Sequence, residues 1–199
     1  MQGTPQPIGA VLAGGRGRRL GGDKALVPIA GRPLIAWPLL ALTSALARVA
    51  VVTKPGVRLP PLPDGVEVWT EPATPTHPIV GIVEALRRAE GRAVLVCAAD
   101  LPLVDAGLVR ALAGAPAGAA AAVVARGAGR LQPLLGRYEP AALPALAAAV
   151  PDDAPLTAVV RALAPAVVDV PASALLNVND RDGVRAAEEA LAGRPPSRT

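Results

Sequence analysis

The sequence predicts an α/β protein built on a mostly parallel central sheet covered on both faces. Short apolar, β-branched runs alternate with helical patterns, which marks right-handed βαβ units. The first such run, residues 8–12, empties into a turn rich in glycine, arginine and lysine. The chain has 199 residues, 52% of them hydrophobic, enough for one ordinary domain with a substantial core.

Strands are expected at 8–12, 48–53, 66–69, 93–97, 120–125, 131–136 and 167–170, each a short apolar run bounded by turn residues. The first helix is expected to start at Pro33, because a first-turn proline loses no hydrogen bond. Further helices are expected near Ile79, after Asp105 as N-cap, near Glu139, after Asp153 as N-cap, and after Asn179 or Asp180. Three stretches read as irregular: 54–65 with four prolines, 70–78 with three, and 126–130. One domain is assigned to 1–192, and 193–199 reads as a disordered tail.

Composition narrows the function classes. The chain has no Phe, two Trp and one Tyr, so the core must be aliphatic and rich in alanine. A net charge of +4 favours acidic partners, yet only 18% of residues are charged and few aromatics exist to stack bases. A dedicated nucleic-acid binder is therefore not expected, whereas small phosphorylated substrates account for the sign. The single Cys97 lies in an apolar strand and reads as a small buried hydrophobe. No signal peptide or span of membrane length is read, and the expected location is the cytoplasm.

The chemistry concentrates in residues 11–26. Glycines 14, 15, 17, 21 and 22 let the backbone approach a bulky anion, and successive amides can converge on phosphate oxygens. Arg16, Arg18, Arg19 and Lys24 supply countercharge. Counting from Gly15 and Gly17, Leu20 stands where a Rossmann fingerprint needs its third glycine. A Walker A loop counted from Gly17 reaches Gly22 and then Asp23 instead of lysine. A nucleoside triphosphate fits the segment, but neither common phosphate motif does.

These residues resemble the molybdenum cofactor guanylyltransferases. Leu12 to Gly15, Arg19-Leu20-Gly21 and Asp23-Lys24 match that family's opening, with Leu20 in place of its usual Met. Cys97 to Val104 resembles its Cys-Asp-Met-Pro segment, Gln132-Pro133-Leu134 its Pro-Leu segment, and Asn177-Val178-Asn179-Asp180 its Asn-x-Asn element. The resemblance covers roughly residues 8–192, in order. It implies a three-layer Rossmann-like nucleotidyltransferase fold, GT-A-like, and transfer of GMP from GTP to the terminal phosphate of molybdopterin with release of pyrophosphate. It also implies Mg²⁺ as cofactor, no nucleic-acid or membrane partner, and transient complexes with proteins that mature molybdoenzymes.

Residue by residue, Asp100 directly follows an apolar strand, so its carboxylate belongs at the strand's carboxyl end, where open α/β sheets bind ligands. There it is the expected Mg²⁺ ligand, since one carboxylate plus substrate phosphates suffices for that ion; its plain alternative is to shape the turn before Pro102. Lys24, Arg19 and Asp100 are the expected catalytic set. Leu12, Ala13, Gly14, Gly15, Lys24, Glu71 and Asp100 are the expected nucleotide contacts, Glu71 reading guanine because a carboxylate accepts from the ring N–H and the exocyclic amine together. Asn177 and Asn179 project to one face of an extended segment and are expected near the second substrate or metal, with an N-cap as the alternative for Asn179.

Arg126 and Arg130, flanking Gly-Ala-Gly, are candidates for the pterin phosphate. His77 stands where the family has a glycine before Pro78 and is expected to lie on the surface without a catalytic role. Within the class, a cytidylyltransferase for the same cofactor reads Leu-Ala-Ala-Gly where this chain has Gly14, which favours guanine. A phospholactate guanylyltransferase is excluded less firmly. A nucleotide-binding regulatory domain is the rival outside enzymes.

Overall fold

The computed structural model describes residues 5–15, 23–151 and 153–193. The chain runs through β1 (Ile8–Leu12), a 3-10 turn (Lys24–Leu26), a short hairpin of β2 (Pro28–Ile29) and β3 (Arg32–Pro33), α1 (Ala36–Thr43), β4 (Val49–Thr53) and β5 (Glu67–Thr70). It continues through α2 (Pro78–Arg88), β6 (Val94–Ala98), α3 (Ala106–Gly114), β7 (Ala122–Gly127) and β8 (Arg130–Tyr138). The last elements are α4 (Leu143–Ala148), α5 (Leu156–Ala162), β9 (Ala166–Asp169) and α6 (Arg181–Ala192).

Strands assemble in the order β5-β4-β1-β6-β8-β7-β9, with β8 the one antiparallel member. Both faces of the sheet are apolar, so successive residues of one strand serve different cores. On β6, Val94 and Val96 pack with Ile79, Ile82 and Leu86 of α2, whereas Leu95 and Cys97 pack with Leu39 and Leu42 of α1 and Leu112 of α3. That two-residue period places α1 and α3 on one face and α2, α4 and α5 on the other, giving three layers. The core is aliphatic as composition requires, Trp69 and Tyr138 being its aromatic members. A third, small core of Ile29, Leu34, Val178 and Ala187 joins the β2–β3 hairpin to α6.

Three local expectations are corrected. Pro33 lies in β3, and α1 begins at Ala36, because Ala30 (φ 46°) and Gly31 (φ 78°) close a two-residue hairpin turn first. Asp153 does not cap α5: its own φ is 49° and Pro155 holds the N-cap position. The 126–130 stretch is the turn of the β7–β8 hairpin, made by Ala128 (φ 47°) and Gly129 (φ 74°), with both strands running up to it. Asp105 does cap α3, accepting from Leu108 N at 2.8 Å. The carbonyls at the other end of α3 are taken by the guanidinium of Arg137, which donates to Leu112 O, Ala113 O and Ala115 O.

Pro133 sits inside β8, where a missing N–H would break a ladder. A register shift opposite Val124 and Ala125 accommodates it, and the Tyr138 hydroxyl donates to Pro133 O at 2.6 Å. Burial pushes the Tyr138 phenol well above its ordinary range. Gly193 ends α6 as its C-cap, and residues 194–199 of the expected tail lie outside the described residues. Among the described residues no helix is long and apolar enough to cross a membrane.

Candidate active site

β1 lies between β4 and β6, with the chain leaving to β4 on one side and returning to β6 on the other. The carboxyl ends of these parallel strands therefore face a crevice at the topological switch point. The turn after β1 forms its floor: Ala13 N donates to Val52 O at 2.8 Å, and Leu12 O accepts from Ala99 N at 3.1 Å. Leu12, Ala13, Gly14 and Gly15 line the cleft together with Lys24, Glu71 and Asp100. Leu134, just past Pro133 in the irregular stretch of β8, reaches the same cleft.

At one end Asp100 follows β6 and holds Lys24, whose Nζ lies 2.5 Å from Oδ2 and donates at 2.6 Å to Asn179 Oδ1. Asn177, with its amide nitrogen turned to the carboxylate, donates to Asp100 Oδ1 at 2.6 Å and Oδ2 at 3.2 Å. Between the two asparagines Val178 is fully buried in the small third core, and its N–H donates to Asp100 O at 3.0 Å. The flanking asparagines are thus turned toward Asp100 and Lys24 by the burial of the residue between them. The N-cap of α6 is Asp180, accepting from Gly183 N at 2.9 Å, so Asn179 does not serve as a cap.

At the other end Glu71, 6% exposed, follows β5 and faces Lys54, which follows β4. Lys54 Nζ lies 3.3 Å from Glu71 Oε1 and donates to Pro72 O at 2.9 Å and Pro75 O at 3.1 Å. Burial pushes the Glu71 carboxyl above its usual range, and the Lys54 ammonium pulls it back in part. Two glycines make the carboxylate's slot: a Cβ at Gly14 would lie 2.5 Å from Oε1, and one at Gly81 would lie 3.0 Å from Oε2. His77 is half-buried and caps α2, its Nδ1 accepting from Ile79 N at 3.2 Å. This corrects the surface reading, and its φ of −108° shows a position with no need of glycine.

Arg16, Arg18 and Arg19 lie outside the described residues. Arg126 is bound on both guanidinium arms to Asp169, at 2.7 Å each, and Arg130 is exposed on the turn side of that hairpin. Cys97 is fully buried, and burial together with the Asp100 charge drives its thiol far above the reactive range. Among the described residues no three His, Cys, Asp or Glu side chains gather as a metal cluster. The oxygens gathered at this point are the Asp100 carboxylate and Asn179 Oδ1, the Asn177 amide nitrogen being turned to the carboxylate. A hard divalent ion that keeps waters and shares substrate phosphates fits such a set, and a thiolate- or imidazole-seeking metal does not.

Lys54 was not singled out in the sequence, where it merely opens a proline-rich stretch. The signal that marked Asp100, a polar residue directly after an all-buried apolar strand, applies equally to Lys54 after Val49–Thr53.

Comparison with known proteins places the chain in a family. The MobA-like NTP transferase domain family matches residues 9–169. A molybdenum cofactor guanylyltransferase of Rhodobacter capsulatus is 39% identical over 54% of this chain and 57% of its own length. One of Cereibacter sphaeroides is 36% identical over 71% of this chain and 73% of its own length. In structure, molybdopterin-guanine dinucleotide biosynthesis protein A from Archaeoglobus fulgidus superposes with a TM-score of 0.72 at 24% identity, covering 94% of this chain and all of that one. A Mycobacterium tuberculosis protein crystallised with manganese superposes at 0.73 and 20% identity, over 94% of this chain and 99% of its own. The fold is the three-layer one of the nucleotidyltransferases, and the chain belongs to the MobA-like NTP transferase family.

Proposed function

We propose that this chain transfers GMP from GTP to the terminal phosphate of molybdopterin, releasing pyrophosphate, with Mg²⁺ as the divalent ion. The observation that carries the reading is a single cleft with a lysine–carboxylate pair at one end, a buried carboxylate at the other and a two-glycine turn between them. Its curated relatives are named for the guanylyl transfer, and cytoplasmic biosynthesis accords with the reading.

In this reading the amides of Gly14 and Gly15 face the phosphates, and Glu71 accepts from the N–H edge of guanine. Asp100 holds the divalent ion, which supplies charge neutralisation when bound. Lys24 then has the phosphates as an alternative to Asp100, and its ammonium offsets the repulsion between the two substrates. Asn177 and Asn179 orient the acceptor side. The acceptor is an ionised phosphate, so no strong base and no covalent enzyme intermediate are needed; catalysis is positioning and electrostatics. Arg19 is assigned to the same charge cluster on the strength of its place in the motif.

Incubation with Mg²⁺, molybdopterin and each nucleoside triphosphate in turn, with pyrophosphate followed, tests this. GTP alone should support rapid release. Turnover of CTP without GTP would overturn the guanine assignment, and nucleotide binding without release would mark a regulatory domain instead.

A further inference from the structure

Lys54 lies at the carboxyl end of β4 and Glu71 at that of β5, one position past the paired Thr53 and Thr70. The two side chains are 10% and 6% exposed, so neither charge is well served by water. Lys54 Nζ is directed at three acceptors at once: Glu71 Oε1, Pro72 O and Pro75 O. An ammonium has three donors, and here all are turned inward. Lys54 therefore acts on the segment that carries Glu71 and leads into α2, and through it on any ligand at that end of the cleft.

We infer that Lys54 is a specificity-determining positioning residue, which keeps Glu71 ionised and aimed into its glycine-walled slot so that a base offering two adjacent N–H donors is selected. This rests on the guanylyl-transfer reading. Guanine presents its ring N–H and exocyclic amine side by side, and an ionised carboxylate accepts from both. A protonated carboxyl turns one of its oxygens into a donor and mismatches that edge. Removing Lys54 leaves a buried carboxylate with no countercharge, which escapes the cost by taking a proton or by swinging out of the slot. Both escapes lose the paired acceptor, and neither needs a change at Asp100 or Lys24, at the far end of the cleft.

The test compares GTP with inosine triphosphate, which lacks only the exocyclic amine, by pyrophosphate release with molybdopterin and Mg²⁺. Wild type, Lys54→Met, Lys54→Arg and Glu71→Gln are assayed as intact proteins. Wild type should favour GTP in kcat/KM by at least about tenfold, the worth of a hydrogen bond to a charged group. Lys54→Met and Glu71→Gln should bring the ratio to within about twofold of unity, mostly through KM for GTP, and Lys54→Arg should restore most of it. Wild-type selectivity retained in Lys54→Met would overturn the inference, as would a wild type that treats the two nucleotides alike. A wild type that turns over neither would instead sink the guanylyl-transfer reading. If Lys54→Met does not fold, Lys54→Gln, which keeps donors for the proline carbonyls, carries the same expectation and the same refutation.

Discussion

Asp100 and Lys24 share one short ion pair at 22% and 15% exposure, close enough to water to exchange partners and buried enough to matter electrostatically. Asp100→Ala and Lys24→Ala should each lower turnover at least about a hundredfold while the folded state persists; near-wild-type activity in either variant, with folding checked by circular dichroism, would remove that residue from the mechanism. Glu71 carries a different signature. Because burial raises its carboxyl above 4.5 in the folded state, the native protein binds a proton more readily than the unfolded chain does. Its contribution to stability is therefore greatest below pH 4.5 and falls as pH rises through the raised value. Glu71→Gln should abolish that loss, so its melting temperature should gain on wild type across the window and hold the gain at neutral pH; a pH-independent difference would refute the assignment. Asp100 and Lys24 could be read from sequence because each stands in a local pattern, an apolar strand or an Asp-Lys pair. The Lys54–Glu71 pair could not, since only the parallel pairing of β4 and β5 brings together residues 17 positions apart.

At the scale of elements, the seven strands expected from the sequence all stand within two residues of their expected ends, because short runs of β-branched and apolar residues leave little choice of conformation. The β2–β3 hairpin escaped notice because two-residue strands have no period to detect, and its turn residue Ala30 gives no signal for a positive φ. That hairpin matters to the site. It follows the Lys24 turn directly and packs through Ile29 and Leu34 on Val178, whose neighbours are the two asparagines. Val178→Ala should cost on the order of 2 kcal/mol of stability from lost burial and the cavity left behind. It should also depress turnover at temperatures where the variant is fully folded, because Asn177 and Asn179 lose their shared anchor. Full activity under those conditions would show that the small core does not set the asparagines. The His77 cap was hidden for a related reason, since a histidine in a proline-rich stretch reads as solvated until α2 is seen to begin at Pro78.

At the scale of the whole molecule, the cleft lies where the strand order reverses, on either side of β1. The strands on one side of β1, β4 and then β5, deliver Lys54 and Glu71, and β6 on the other side delivers Asp100. Asn177 and Asn179 join Asp100 and Lys24 only after the chain has passed through β7, β8 and β9. This order explains why motifs spread over more than 160 residues, from Leu12 to Asn179, stand apart in the sequence and meet only in the fold. A crystal structure with Mg²⁺ and a non-transferable GTP analogue tests the central claim most directly. The account predicts the base against Glu71, the phosphates over Gly14, Gly15 and Lys24, and the metal on Asp100. A nucleotide bound away from this cleft, or lying in it with its phosphates at Glu71, would contradict it.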